Sequence, residues 1–124
     1  MKQKFIIGDI VMYKNRIHTI IDTLRLNNYE LSYVRHSVNQ AELSDVPLTP
    51  EILEKNGWRT QNRWYYYLDV AEGFISYIGI DFKHKSNKGY LYVEVDGNNM
   101  VEIQYCHKLQ HFLFGLGLNS EMEV

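Results

Sequence analysis

Gly8-Asp9-Ile10-Val11-Met12-Tyr13-Lys14-Asn15-Arg16-Ile17-His18-Thr19-Ile20-Ile21-Asp22-Thr23 is the stretch whose reading decides the fold. Gly8 to Tyr13 has the β-branched, alternating pattern of a strand, and Lys14-Asn15 suits a tight turn. Arg16 to Thr23 returns as a second strand, with Ile17 and Ile21 on one face and His18 and Ile20 on the other. Asn27-Asn28 tolerates the positive φ of another turn, and Tyr29 to Val34 alternates again. A glycine-aspartate entry followed by three short strands is how a small SH3-like barrel opens.

Working outward, Leu48-Thr49-Pro50-Glu51-Ile52-Leu53 predicts a short helix. Thr49 can cap it, Pro50 suits its first position, Glu51 complements the dipole, Leu48 can staple onto Leu53, and Gly57 can end it. Three strands follow: Trp64 to Leu68; a segment with Phe74, Ile78, Ile80 and Phe82 on one face; and Tyr90 to Val95, with Leu91, Val93 and Val95 opposite Tyr90, Tyr92 and Glu94. Asp96-Gly97-Asn98-Asn99 turns the chain into Met100 to Gln104. A terminal helix spans about Tyr105 to Gly115. Its apolar stripe is Tyr105, Leu109, Phe112, Leu113 and Leu116, and the opposite side carries His107, Gln110, His111 and Phe114. The acidic tail Glu121-Met122-Glu123 is expected to fray. The expectation is one α+β domain over residues 1–124, made of antiparallel hairpins with one short middle helix and one C-terminal helix.

Composition narrows the function classes. The 124 residues carry a net charge of −2, which disfavours extended duplex nucleic acid and anionic membranes as partners. Any polyanion site has to be a local patch. A lone cysteine, Cys106, cannot form an internal disulfide, and no run is apolar enough for a signal peptide or a membrane span; a cytoplasmic setting is expected. Of ten tyrosines, beside five phenylalanines and two tryptophans, strand filling accounts for most, and the remainder suit a recognition surface.

Two constellations carry candidate chemistry. The first mixes cations with aromatics: Arg59, Arg63, Trp64 and Tyr65, flanked by Gln61 and Asn62, with Lys85 in the basic loop Lys83 to Lys88. A guanidinium offers a fork for phosphate and an indole or phenol stacks on a base, so these residues suit a nucleotide; a tyrosine-rich strand with charged flanks is the structural alternative. The second is the helix face His107, Gln110, His111 and Phe114. The histidines at i and i+4 have the spacing of a shared metal ion, but Lys108 stands where a zinc protease helix places its general base, and no third ligand is nominated. Phe114 there would be wet, which suits a protein partner or a second copy; the alternative is that the tail or a loop folds over it. Cys106 opens the helix, where a thiol pKa can be lowered, yet His107 points about 100° away from it. No cofactor-binding motif is present.

Two stretches resemble a group of small proteins common in Bacteroidetes genomes, their mobile elements and their phages. They are Pro47 to Trp58, similar to that group's middle helix, and Ile103 to Leu116, similar to its terminal helix. Ile7-Gly8-Asp9-Ile10-Val11 fits the group's first strand. The chain departs from it at Cys106, His111 and Phe114-Gly115-Leu116-Gly117. The resemblance implies a phage or mobile-element setting and no particular activity. The expected role is therefore a non-catalytic, homo-oligomeric binding protein in phage–host conflict that sequesters a small nucleotide-type signal. The alternatives are an interaction module docking on a host defence protein through the terminal helix, or a metal-dependent hydrolase using His107 and His111.

Overall fold

A computed structural model describes residues 2–70 and 73–124. In chain order the first elements are strands β1 (Ile10–Tyr13), β2 (Arg16–Leu24), β3 (Asn28–Leu31), β4 (Val38–Asn39) and β5 (Ser44–Asp45), then helix α1 (Pro50–Lys55). Strands β6 (Arg59–Thr60), β7 (Tyr65–Asp69), β8 (Tyr77–Asp81), β9 (Leu91–Val95) and β10 (Asn98–Ile103) follow, and helix α2 (Cys106–Gly115) comes last. Both sheets are antiparallel, so the α+β hairpin architecture expected from the sequence is the one observed. The residues sort into two compact units: everything up to Pro47 together with Tyr105–Met122, and Leu48–Gln104 together with Glu123–Val124.

The first unit holds a five-stranded sheet in the order β4-β3-β2-β1-β5. Lys14 and Asn15 both take positive φ, the turn geometry that matches strand twist, and they bring Met12 opposite Ile17. Ile20 is buried while Ile17 and Ile21 are exposed, as the alternation predicts. Between β2 and β3 it is Leu26 and Asn27, one position earlier than expected, that adopt positive φ. A 3-10 turn over Gln40–Glu42, capped reciprocally by Asn39 and Glu42, then returns β5 to the edge of β1. Phe5, Val11, Tyr13, Ile20, Tyr29, Leu31 and Val38 form the core of this unit. The two-residue strands β4 and β5 escaped sequence reading because nothing alternates over so short a span.

The second unit is a meander in the order β10-β9-β8-β7-β6, and α1 precedes it. Its ends lie side by side, with the Leu48 amide donating to the Gln104 carbonyl at 3.1 Å. Thr49 caps α1 through its hydroxyl, which accepts from the Ile52 amide at 3.3 Å. Gly57 at φ +85° closes it, with Trp58 N–H on Leu53 O at 3.0 Å and Gly57 N–H on Glu54 O at 3.1 Å. That pair of bonds makes a Schellman cap, and only glycine takes this φ without strain. Leu48, Leu53, Trp58, Tyr66, Ile78, Ile80, Leu91, Val93 and Ile103 are the unit's buried apolar residues.

Two expectations fail. Phe74 precedes β8 and is fully exposed, so it does not share the Ile78–Ile80 face. Nor does the tail fray at Glu123, whose N–H and C=O pair with the Asn56 side chain at 2.8 and 2.7 Å. Backbone groups reaching a fixed amide outweigh the like charges of the tail. Thr49→Ala should lower the unfolding free energy by about 1 kcal/mol, read as a lower urea midpoint at unchanged slope.

Candidate functional site

The face of α2 assigned to solvent is mostly interior. His107 is 0% exposed and Gln110 3%, so neither belongs to a docking surface. Gln110 turns inward because its amide has work there: Oε1 accepts from the Ile10 N–H at 2.9 Å, and Nε2 donates to the carbonyls of Gly8 (2.8 Å) and Ser120 (3.1 Å). His111 Nε2 lies 2.7 Å from Asp9 Oδ2, which also accepts from the Ile6 N–H. Burial raises the Asp9 pKa, while the Ile6 hydrogen bond and His111 oppose the rise. Phe114 alone matches its expectation, at 66% exposed, and with Ile6, Ile7, Thr23 and Glu121 it lines a cleft of about 530 Å³.

His107 sits between Phe5, at 5.1 Å, and Tyr105, stacked at 6.0 Å, with the His111 ring 5.6 Å away. Neither ring nitrogen has a hydrogen-bond partner, and Asp45 Oδ1 is 3.7 Å from Nδ1. The i, i+4 pair therefore shares no ligand site: one ring is enclosed and the other is held by a carboxylate. Among the described residues no group of three or more His, Cys, Asp or Glu is placed to hold a metal ion. Cys106 is likewise enclosed, and burial pushes its thiol up to about 12, overriding any lowering at the helix start.

The sheet of the second unit has a different outer face. Tyr65 and Tyr67 on β7 alternate with buried Tyr66, and the register sets Tyr67 opposite Gly79 and Asp69 opposite Tyr77. Gln61, Asn62, Tyr65, Tyr67, Asp69 and Tyr77 line a cleft of about 320 Å³. Gly79 shapes it, since a Cβ there would overlap the hydroxyl and Cζ of Tyr65. The glycine lets the Tyr65 ring lie over the sheet and its hydroxyl reach Glu94 at 3.3 Å. Burial and then Glu94 raise the Tyr65 pKa, so it stays a neutral donor. Asn62 Oδ1 accepts from the amides of Trp64 and Tyr65, fixing the turn that delivers them.

The five residues nominated for a nucleotide are partly gathered. Trp64 and Tyr65 adjoin, with ring centroids 6.1 Å apart. Arg59 flanks the cleft, where its guanidinium pairs with Asp69 and lies 5.1 Å over the Tyr67 ring. Arg63 stands exposed on the β6–β7 turn at φ +67°, and Lys85 is exposed in the β8–β9 loop; neither lines the cleft. Sequence reading missed Tyr67 and Tyr77, and within the basic loop Lys83 to Lys88 it singled out Lys85 rather than Lys83 and His84. The Lys83 ammonium lies 5.3 Å over the Trp64 ring, and the His84 imidazole meets that ring edge-on at 5.4 Å. Period-two alternation through Tyr65 and Tyr67 was the available signal for Tyr67; for the contacts to Trp64 it was the basic loop Lys83 to Lys88, with nothing local to say which of its residues reach the ring.

No protein-family model matches the chain, and no curated protein or solved structure matches it either. No helix among the described residues is long and apolar enough to cross a membrane.

Burial lowers the His107 pKa from 6.5 to about 4, with Asp45 pulling the other way. Between those values the unfolded chain binds a proton that the folded chain refuses, so stability rises with pH across the window and falls on acidification. Full traverse is worth on the order of 3 kcal/mol, and the raised Asp9 opposes it at the acid end. Urea midpoints between pH 6.5 and 4.5 should therefore fall in the wild type and fall less in His107→Leu.

Proposed function

We propose that this chain is a non-catalytic binding protein whose tyrosine-walled cleft takes the base of a small nucleotide-type molecule. The observation that carries the reading is the placement of Tyr65, Tyr67 and Tyr77 around one open cleft, rimmed by the amides of Gln61 and Asn62. Phenol rings supply stacking surface to any base, amides supply hydrogen bonds to its edge, and the cleft has the size of a small-molecule site. The flanking Arg59–Asp69 pair is exposed on both sides and contributes little stability, which leaves orientation of the Tyr67 ring as its use. In the phage or mobile-element setting that the resemblance implies, such a protein would act in the cytoplasm by holding a host nucleotide signal away from its receptor.

A thermal-shift panel of nucleosides, nucleotides and cyclic dinucleotides tests this. A ligand at 100 times its dissociation constant contributes about 2.7 kcal/mol, a rise of several degrees for a domain of this size. Tyr67→Ala should abolish the rise, and Gly79→Ala should reduce it by displacing the Tyr65 ring. A flat response across the panel refutes the reading.

A second reading rests on Phe114. With Ile6 at 38% and Ile7 at 61% exposed, it leaves apolar surface beside the cleft of the first unit, suited to a host defence protein or a second copy. Phe114→Asp should change the sedimentation behaviour or abolish partner capture while the melting temperature holds. An unchanged association would count against this reading.

A further inference from the structure

His84 belongs neither to the tyrosine cleft nor to the five residues nominated for a nucleotide, yet its exposed imidazole is held by a buried carboxylate. Asp81, at the end of β8, is buried to 9% exposure and fully occupied. Its Oδ1 accepts from the amides of Lys83 (2.8 Å) and His84 (2.9 Å), and its Oδ2 lies 2.9 Å from His84 Nδ1. A carboxylate can only accept, so Nδ1 carries the proton in that contact and Nε2 is the ring nitrogen left to face outward. The His84 side chain is nonetheless 65% exposed. A buried acid orienting a solvent-facing imidazole edge-on to Trp64 is more construction than a solvated loop requires.

The surroundings choose the ligand. Lys83 shares the indole with His84, and the following loop adds Lys85 and Lys88 in an otherwise acidic chain. Ser86 closes that loop, donating its amide to the Tyr90 carbonyl (2.9 Å) and accepting the Tyr90 amide at its hydroxyl (3.1 Å). Asp81, the facing carboxylate, has its charge engaged by two amides and the imidazole. Ammonium groups repel a metal cation, and one imidazole is too few ligands for a metal. A compact oxyanion fits: ammonium groups act as point charges, and with a proton on each ring nitrogen the outward Nε2 of His84 would donate along a fixed direction.

We propose that His84, Lys83 and the Trp64 indole, positioned by Asp81, form a phosphate subsite. It rests on the nucleotide reading and deepens it: Trp64 adjoins Tyr65, a wall of the base cleft, and a nucleotide reaching from one ring to the other would set its phosphoryl group here.

The test is a titration of the full chain with inorganic phosphate, followed by NMR at the His84 imidazole and the Trp64 indole N–H. A parallel titration with adenosine, which has no phosphate, is followed at the Tyr67 ring. Saturable phosphate shifts at His84 and Trp64, absent at His18 and His36, are expected. His84→Ala, a change at an exposed side chain, and Lys83→Gln should each weaken phosphate by on the order of tenfold. Linear shifts shared by all the histidines, or phosphate binding unchanged in both variants, overturn the subsite. Adenosine shifts at Tyr67 without phosphate shifts at His84 would sink the subsite and leave the base cleft standing. Phosphate shifts without a response at Tyr67 would keep the subsite and sink the cleft.

Discussion

The Gln110 carboxamide is the constraint on which the first unit depends. β1 pairs with β2 and β5, but the Ile10 N–H and the Gly8 carbonyl ahead of its ladder need partners that no strand supplies. One side chain of α2 satisfies both and adds the Ser120 carbonyl beyond the helix. An unpaired buried amide costs about 1–3 kcal/mol, so this glutamine sets where α2 docks. Its neighbours follow from that docking. With Gln110 turned inward, His107 and His111 are carried to the same side, one beneath Phe5 and the other onto Asp9.

In the second unit the corresponding constraint is the absence of a side chain. Gly79 lets the Tyr65 ring cross β8 toward Glu94, and the outer face becomes a tyrosine cleft instead of a row of independent side chains. Tyr66, one residue along, points the other way, with its ring 5.6 Å from Phe82 and its hydroxyl on Glu54. The strand thus divides its tyrosines between the interior and an open cleft by parity alone.

Among the described residues, two histidine–aspartate contacts lie within hydrogen-bond distance, with opposite consequences. Asp9–His111 lies against the interior, where desolvation dominates the carboxylate and the pair ties the N-terminal segment to α2. Asp81–His84 reverses the burial: the acid is inside and the imidazole outside, so the pair presents a nitrogen to solvent. Composition cannot separate the two, since the residue types are the same. The distinction is which partner the fold covers.

The local elements were legible from the residues. Lys14-Asn15, Asp96-Gly97 and Gly57 mark positions where the backbone takes positive φ, and Thr49-Pro50 starts a helix by capping chemistry that acts over three residues. Alternation placed Ile20, Ile78, Ile80, Leu91 and Val93 in the interior. The candidate site was half legible: Trp64 and Tyr65 were singled out, whereas the inward turn of His107 and Gln110 was not. A helical wheel sends polar residues to water, and it cannot see that Gly8 and Ile10, about a hundred positions away, hold backbone groups waiting for an amide. What the sequence by itself determined was set by interactions within a few residues: most turns, the caps of α1, strand parity and overall charge. Only the tertiary structure decided which polar groups are enclosed and which aromatics converge, because burial and convergence depend on contacts between segments that no local pattern encodes.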